Sequence, residues 1–202
     1  MRKIPLLAKW LYTAFMAVLV PVYWICYGPT NFLWFSDITL ITTFLALLFE
    51  LPLIASIAAA FGIVLESIWL VDFLGVFFFD IHLIHLADYM FESQRPLGLR
   101  LLSLFHVVLP PLLLWLVWKL GYVRKAWPWA TLLSWIVIAT SWLVTDPSLN
   151  INWVYGYLNT AWTSSPALYL LALTLAINGV QALTHAVFII ITKVRYAISQ
   201  QR

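Results

Sequence analysis

The chain has 202 residues, of which 64% are hydrophobic and 9% are charged. A soluble domain carries about 25% charged residues, so this composition excludes an ordinary water-soluble fold. The single cysteine, Cys26, excludes an intramolecular disulfide and a cysteine-based zinc cluster. We expect one all-α integral membrane domain over residues 1–202, with membrane lipid as its partner, no cofactor and no nucleic-acid partner. The sequence gives no indication of an oligomeric state.

Six segments are long and apolar enough to be spanning helices, which need roughly 20 residues each. The first resembles a signal peptide, but its apolar run continues to about Cys26 without a cleavage site, so we expect it to be retained. A break at Glu50-Leu51-Pro52 separates the second span from the third. The predicted spans are, in chain order, about 5–26, 31–49, 52–71, 97–119, 127–145 and 167–191.

The distribution of basic residues predicts the orientation of these six spans. With six spans the two termini share one side, and all but Arg95 and Arg100 of the 11 basic residues then lie on that side. The positive-inside rule therefore predicts that both termini are cytoplasmic. The expected location is the inner (plasma) membrane of a cell, crossed several times.

The segment from Asp72 to Arg95 is too acidic for a span and too apolar for a free loop. We expect an amphipathic or re-entrant piece at the outer interface, between the third and fourth spans. If it is helical, His82, His85 and Asp88 lie on one face, where imidazole and carboxylate ligands suit zinc or iron. An interfacial helix also carries such residues without a metal. We therefore predict no metal site. If a metal is bound after all, His82, His85 and Asp88 are its candidate ligands.

The ionisable residues of the predicted spans share a depth. At about 1.5 Å per residue, Asp37 lies about 9 Å, Glu66 about 8 Å and His106 about 13 Å below the outer surface. The loop after the fifth span adds Asn150 and Asn152 on the same side. Because buried charges in membranes face the bundle interior, we expect one polar pocket open to the outer leaflet.

The polar residues of the predicted spans, including Ser36 beside Asp37, also have purely structural interpretations. Ser36 can bond the carbonyl one turn before it, and Asp37 can be the partner of a buried donor. His106 can be a helix–helix contact, and Glu66 can reach the interface with its side chain. His185 lies in the inner half of the last span, where we expect a structural role.

Three sequence blocks carry a resemblance to known membrane proteins. They are YGPTNFLWFSD at 27–37, SLFHVVLPPLLL at 103–114 and TDPSLNINWVYG at 145–156. The chain resembles a family of small bacterial polytopic proteins known only as membrane-associated proteins. More distantly, the blocks resemble the androgen-induced, ADTRP-like membrane hydrolases and the related membrane acyltransferases with a Cys/His pair.

The resemblance implies a nucleophile on the second span and a histidine on the fourth, which is His106. Trp34 stands where the hydrolases carry a threonine, and Ser36 stands where the acyltransferases carry a cysteine. Ser36 is therefore the hydroxyl that the motif leaves. The loop residues that match the asparagine-aromatic block are Asn150, Asn152 and Trp153.

The favoured hypothesis is a Ser/His lipid ester hydrolase or acyltransferase. In it, Ser36 attacks the ester carbonyl, His106 moves the proton, and Asp37 or Glu66 orients the imidazole. Asn150 or Asn152 then donates to the oxyanion. The alternatives are a small proton-coupled carrier that uses Asp37, Glu66 and His106, or a membrane scaffold without catalytic activity.

Overall fold

The structure is a computed structural model that describes residues 4–156 and 165–200, with side chains up to Val194. These ranges contain no β-strand and form seven α-helices with three short 3-10 turns. The 3-10 turns are Pro29–Leu33, Asp88–Met90 and Ile151–Trp153. The helices are α1 (Leu6–Tyr27), α2 (Phe35–Phe49), α3 (Pro52–Phe79), α4 (Leu97–Leu102), α5 (Phe105–Leu120), α6 (Ala126–Val144) and α7 (Pro166–Gln200).

Five stretches of the described chain are long and apolar enough to cross a membrane, which is compatible with an integral membrane protein. They match the first, third, fourth, fifth and sixth predicted spans. The second predicted span is the apolar but shorter helix α2, with the 3-10 turn before it. Six spans and cytoplasmic termini stay predictions, and Arg2, Lys3 and Arg202 lie outside the described residues. The five stretches are Leu6–Tyr27, Pro52–Phe79, Leu97–Leu120, Ala126–Val144 and Pro166–Val194.

Helix α3 is the centre of the bundle and packs against α2, α5, α6 and α7. Its first half is rich in buried small residues, Ala55, Ala58, Ala59 and Ala60. Small side chains let neighbouring helix backbones approach closely, which is the usual basis of helix packing in membranes. At Gly62 the approach is so close that an added Cβ would lie 2.1 Å from Oγ1 of Thr39 on α2.

The segment between the third and fourth predicted spans is partly helix and partly loop, and its position at a membrane interface stays a prediction. Residues 72–79 continue α3, and the chain then forms a loop with one 3-10 turn before α4. The reason is Asp72, whose fully buried carboxylate accepts four backbone N–H groups of that loop. A helix can therefore continue past this acid, because the loop folds back and satisfies its charge. The donors are the N–H groups of Leu83, Ile84, Leu86 and Ala87.

The fourth predicted span is interrupted at Ser103 and Leu104, between α4 and α5. The Ser103 hydroxyl lies 3.2 Å from the carbonyl of Leu99 and 2.9 Å from the hydroxyl of Tyr23 on α1. This contact joins α1 to the interruption, and α5 begins directly after it at Phe105. The beginning of α5 therefore lies beside α1, α2 and α3, and this position sets the surroundings of His106.

Candidate functional site

The most distinctive polar contact in the bundle joins His106 on α5 to Glu66 on α3. His106 Nδ1 and Glu66 Oε2 lie 2.6 Å apart, and the two residues are only 8% and 2% exposed. The imidazole stacks on the Trp69 and Phe105 rings, with centroid distances of 4.2 Å and 4.1 Å. Within the described ranges, Nε2 of His106 makes no hydrogen bond. The ring is thus fixed in orientation while one nitrogen stays free for proton transfer.

Asp37 is the second buried acid near this pair. It is 3% exposed, and its Oδ2 lies 3.4 Å from the Asn31 amide nitrogen. Its Oδ1 has no hydrogen-bond partner in the part of the chain that the structure describes. Asp37 lies in the first turn of α2, a helix that packs against both α3, which carries Glu66, and α5, which carries His106.

Ser36 lies on the face of α2 directed toward α3 and α5. It precedes Thr39 and Leu40 by three and four residues, which places the three residues on one helix face. Thr39 contacts Gly62 of α3, and Leu40 packs in a cluster with Phe105 of α5. The Ser36 hydroxyl is half-buried and makes no hydrogen bond within the described residues, with His106 or with any other group.

Ser36 and Glu66 also lie at the same level of the bundle. Helices α2 and α3 run in opposite directions because a tight turn at Glu50 and Leu51 joins them. The contact between Thr39 and Gly62 fixes their register. One turn back along α2 leads to Ser36, and one turn forward along α3 leads to Glu66.

The predicted oxyanion donor Asn152 holds the beginning of α2 in place. Its Oδ1 accepts the Phe35 N–H at 2.9 Å, and its Nδ2 donates to the Leu33 carbonyl at 2.7 Å. The same Nδ2 donates to the Ser141 hydroxyl at 3.2 Å. Both amide hydrogens are thus engaged, so a role in catalysis would require these bonds to break.

The two other predicted loop residues also organise the backbone. Asn150 donates to the Gly156 carbonyl at 2.6 Å and accepts the Tyr155 N–H at 2.9 Å. The Trp153 ring lies edge-on to the ring of Trp34, with centroids 6.2 Å apart. The loop that carries the asparagine-aromatic block therefore packs against the 3-10 turn before α2.

Two parts of the site were missing from the sequence prediction. Trp69 stacks on His106, and its position three residues after Glu66 on one helix face was a usable signal. The hydrogen bond between Tyr23 and Ser103 joins residues 80 positions apart, so no local pattern indicates it.

His82, His85 and Asp88 converge on the outside of the loop after α3, although the chain between His82 and the 3-10 turn at Asp88–Met90 is not helical. Nδ1 of each histidine lies 2.7 Å from a different oxygen of the Asp88 carboxylate. The hydrogen bond to Asp88 raises the pKa of His82. Partial burial acts to raise the pKa of Asp88, but its bonds to the two imidazoles outweigh burial and lower it. The three residues thus form one hydrogen-bonded cluster.

Comparison of the chain with protein-family models, with curated proteins and with solved structures finds no match. The class that the fold defines is a helical protein with five stretches compatible with membrane spans. The resemblance to membrane hydrolases and acyltransferases stays an expectation, and any activity rests on the geometry of the site.

Proposed function

We propose that the chain is a six-span inner-membrane protein, with cytoplasmic termini, that hydrolyses or transfers the acyl group of a lipid ester. The observation that carries this proposal is the buried pair of His106 and Glu66. A carboxylate on Nδ1 leaves Nε2 as the proton acceptor and stabilises the imidazolium that forms. Glu66, rather than Asp37, is therefore the orienting carboxylate.

Ser36 is the nucleophile in this proposal. Its hydroxyl is free of other bonds, lies level with Glu66 and is on the helix face toward His106. As Ser36 Oγ attacks the ester carbonyl, Nε2 of His106 takes the hydroxyl proton. The tetrahedral intermediate expels the alcohol, which receives that proton, and leaves an acyl group on Ser36. Water completes hydrolysis, or a second alcohol completes transfer.

The first turn of α2 supplies the oxyanion donor. The leading N–H groups of a helix have no partner within the helix, and they favour negative charge. The Phe35 N–H is already bonded to Asn152, whereas the next two, of Ser36 and Asp37, make no bond to the preceding turn. We assign the oxyanion to the Asp37 N–H, because the N–H after a nucleophile commonly has this role.

An apolar groove between α1 and α4 supports a lipid substrate. Its volume is about 660 Å³, and it opens on the outside of the bundle. Its wall residues Phe15, Val22 and Leu102 also pack against the cluster of Leu40 and Phe105 that borders His106. The residues that line this groove thus pack on the same cluster that contains Phe105, the neighbour of His106.

Turnover of lipid esters by the purified chain tests the proposal. A panel of phospholipids, diacylglycerols and short acyl esters is incubated with the protein in detergent, and released fatty acid is measured by mass spectrometry. We expect Ser36→Ala and His106→Ala to lower the rate at least about 100-fold, the lower end of what a general base contributes. Glu66→Gln should lower it by a similar factor.

Two variants are matched controls. Ser67→Ala removes a hydroxyl that bonds only the Ile63 carbonyl of its own helix, and His185→Ala removes an imidazole that contacts Tyr122. Both should retain more than half of the native rate. A folded native protein that turns over no ester, or equal rates in Ser36→Ala and in the controls, would refute the proposal.

A proton-coupled carrier is the second candidate, and the unbonded Oδ1 of Asp37 favours it. A buried carboxylate oxygen without a donor is costly when charged, so a group in this position suits proton uptake and release. Proton-driven flux in vesicles that is lost in Asp37→Asn and kept in Ser36→Ala would select the carrier. Absence of both activities, with all variants folded, would favour the scaffold.

A further inference from the structure

We propose that His82, His85 and Asp88 bind one divalent transition-metal ion, with zinc as the best fit. One candidate ligand atom from each residue can be chosen so that all three lie within 4.8 Å of one another. Two imidazole nitrogens and a carboxylate oxygen form a ligand set that suits zinc. This site lies on the loop after α3, between Phe79 and Leu97, and is separate from the pair of His106 and Glu66.

The candidate ligand atoms converge within 4.8 Å of one another, which is somewhat wider than the spacing in a coordinated zinc site. Zinc bonds imidazole nitrogen and carboxylate oxygen at about 2.0–2.2 Å, so ligand atoms in a tetrahedral site lie about 3.3 Å apart. The two Nδ1 atoms lie 2.7 Å from the Asp88 oxygens. Small side-chain rotations therefore make room for an ion, which displaces the shared protons. A water molecule would complete the four ligands.

Hydrogen bonds within the protein hold the loop in shape. The four backbone hydrogen bonds to the buried carboxylate of Asp72 fix residues 83–87. His85 has a φ of 58°, a left-handed conformation that non-glycine residues rarely adopt. Because this backbone is already fixed, metal binding does not have to order the loop. Such preorganisation is typical of binding sites and is not expected of histidines on a free surface.

Asp80 is placed to support His82 from the outside. Its Oδ1 lies 3.8 Å from Nε2 of His82, on the ring side away from Asp88. A histidine that binds a metal through one nitrogen usually donates its other N–H to a carboxylate or carbonyl. A slight movement of the exposed Asp80 side chain would complete that hydrogen bond. Asp80 is thus a positioning residue rather than a ligand.

Zinc titration of the full-length chain without a polyhistidine tag tests this site. The chain is stripped with a chelator in detergent and titrated with zinc sulfate by calorimetry. We expect one ion per chain, and cobalt should give the visible absorption of a four-coordinate site. His82→Gln, His85→Gln and Asp88→Asn should each weaken zinc more than about 100-fold, beyond the 10- to 100-fold expected for an outer partner such as Asp80→Asn.

The control is His185→Gln, which removes a histidine elsewhere in the chain and should leave zinc binding unchanged. The melting temperature of each metal-free variant shows whether the loop still folds. X-ray absorption of the native zinc complex requires no substitution and should show two imidazole ligands. Absence of stoichiometric uptake, uptake unchanged in the double variant His82→Gln/His85→Gln, or a spectrum without imidazole would overturn the proposal.

Discussion

Replacing Asp72 by asparagine tests how the loop after α3 is held. The two carboxylate oxygens each accept two backbone N–H groups and are fully buried. Asparagine keeps one such oxygen and turns an NH₂ group toward the other pair of donors. The variant therefore loses two hydrogen bonds to a charged acceptor and leaves two N–H groups opposed by another donor.

The expected cost follows from these two bonds. A hydrogen bond to a charged group contributes about 1.5–3 kcal/mol, so the loop should lose about 3–6 kcal/mol. Because about 1.4 kcal/mol corresponds to a factor of ten, the loop should open about two to four orders of magnitude more often. The affected amides are those of Leu83, Ile84, Leu86 and Ala87.

Hydrogen–deuterium exchange measured by mass spectrometry gives the opening of this loop directly. Peptides that cover residues 81–88 should exchange faster in Asp72→Asn by that factor, while peptides from α6 should be unchanged. Asp80→Asn is the matched control, since this side chain is 95% exposed and its substitution should have almost no effect. Native protection of the loop in Asp72→Asn would refute the role of the carboxylate.

Two further substitutions test the packing that positions α2. Gly62→Ala places a Cβ 2.1 Å from Thr39 and should destabilise the bundle by about 1–3 kcal/mol, with partial rescue by Thr39→Ala. Asn152→Asp turns a donor to the Leu33 carbonyl into an acceptor and should cost about 2–4 kcal/mol. Melting temperatures from size-exclusion chromatography measure both. An unchanged melting temperature in either variant contradicts the corresponding contact.

Helix positions were predictable where apolar length alone decides them. The ends of α1 and α6, at Leu6–Tyr27 and Ala126–Val144, lie within one residue of the predicted spans. The end of α3 was predicted at Val71, because the segment that begins at Asp72 is too acidic for a span. Its carboxylate is satisfied by backbone groups more than ten residues later, and no local pattern contains that information.

The site was predictable in part for the same reason. Counting residues from a shared surface placed Glu66 and His106 at similar depth, and the structure brings them into contact. The beginning of α2 depends on the Asn152 side chain, which is 117 residues away from Phe35 in the chain. The same long-range contact engages the amide that the sequence assigned to an oxyanion. The position of a residue along its helix can thus be counted from the sequence. Whether a side-chain donor is free to bind an oxyanion depends on the contacts that it makes in the folded chain.

Covalent labelling by a fluorophosphonate tests the central claim most directly. The reagent phosphonylates a serine hydroxyl only when a neighbouring base activates it, and peptide mapping identifies the modified residue. We expect Ser36 to be modified in the native chain and to stay unmodified in His106→Ala. Labelling should be much slower in Glu66→Gln and should keep its native rate in His185→Ala. A folded chain that stays unmodified, or labelling of Ser36 at the native rate in His106→Ala, would contradict the account.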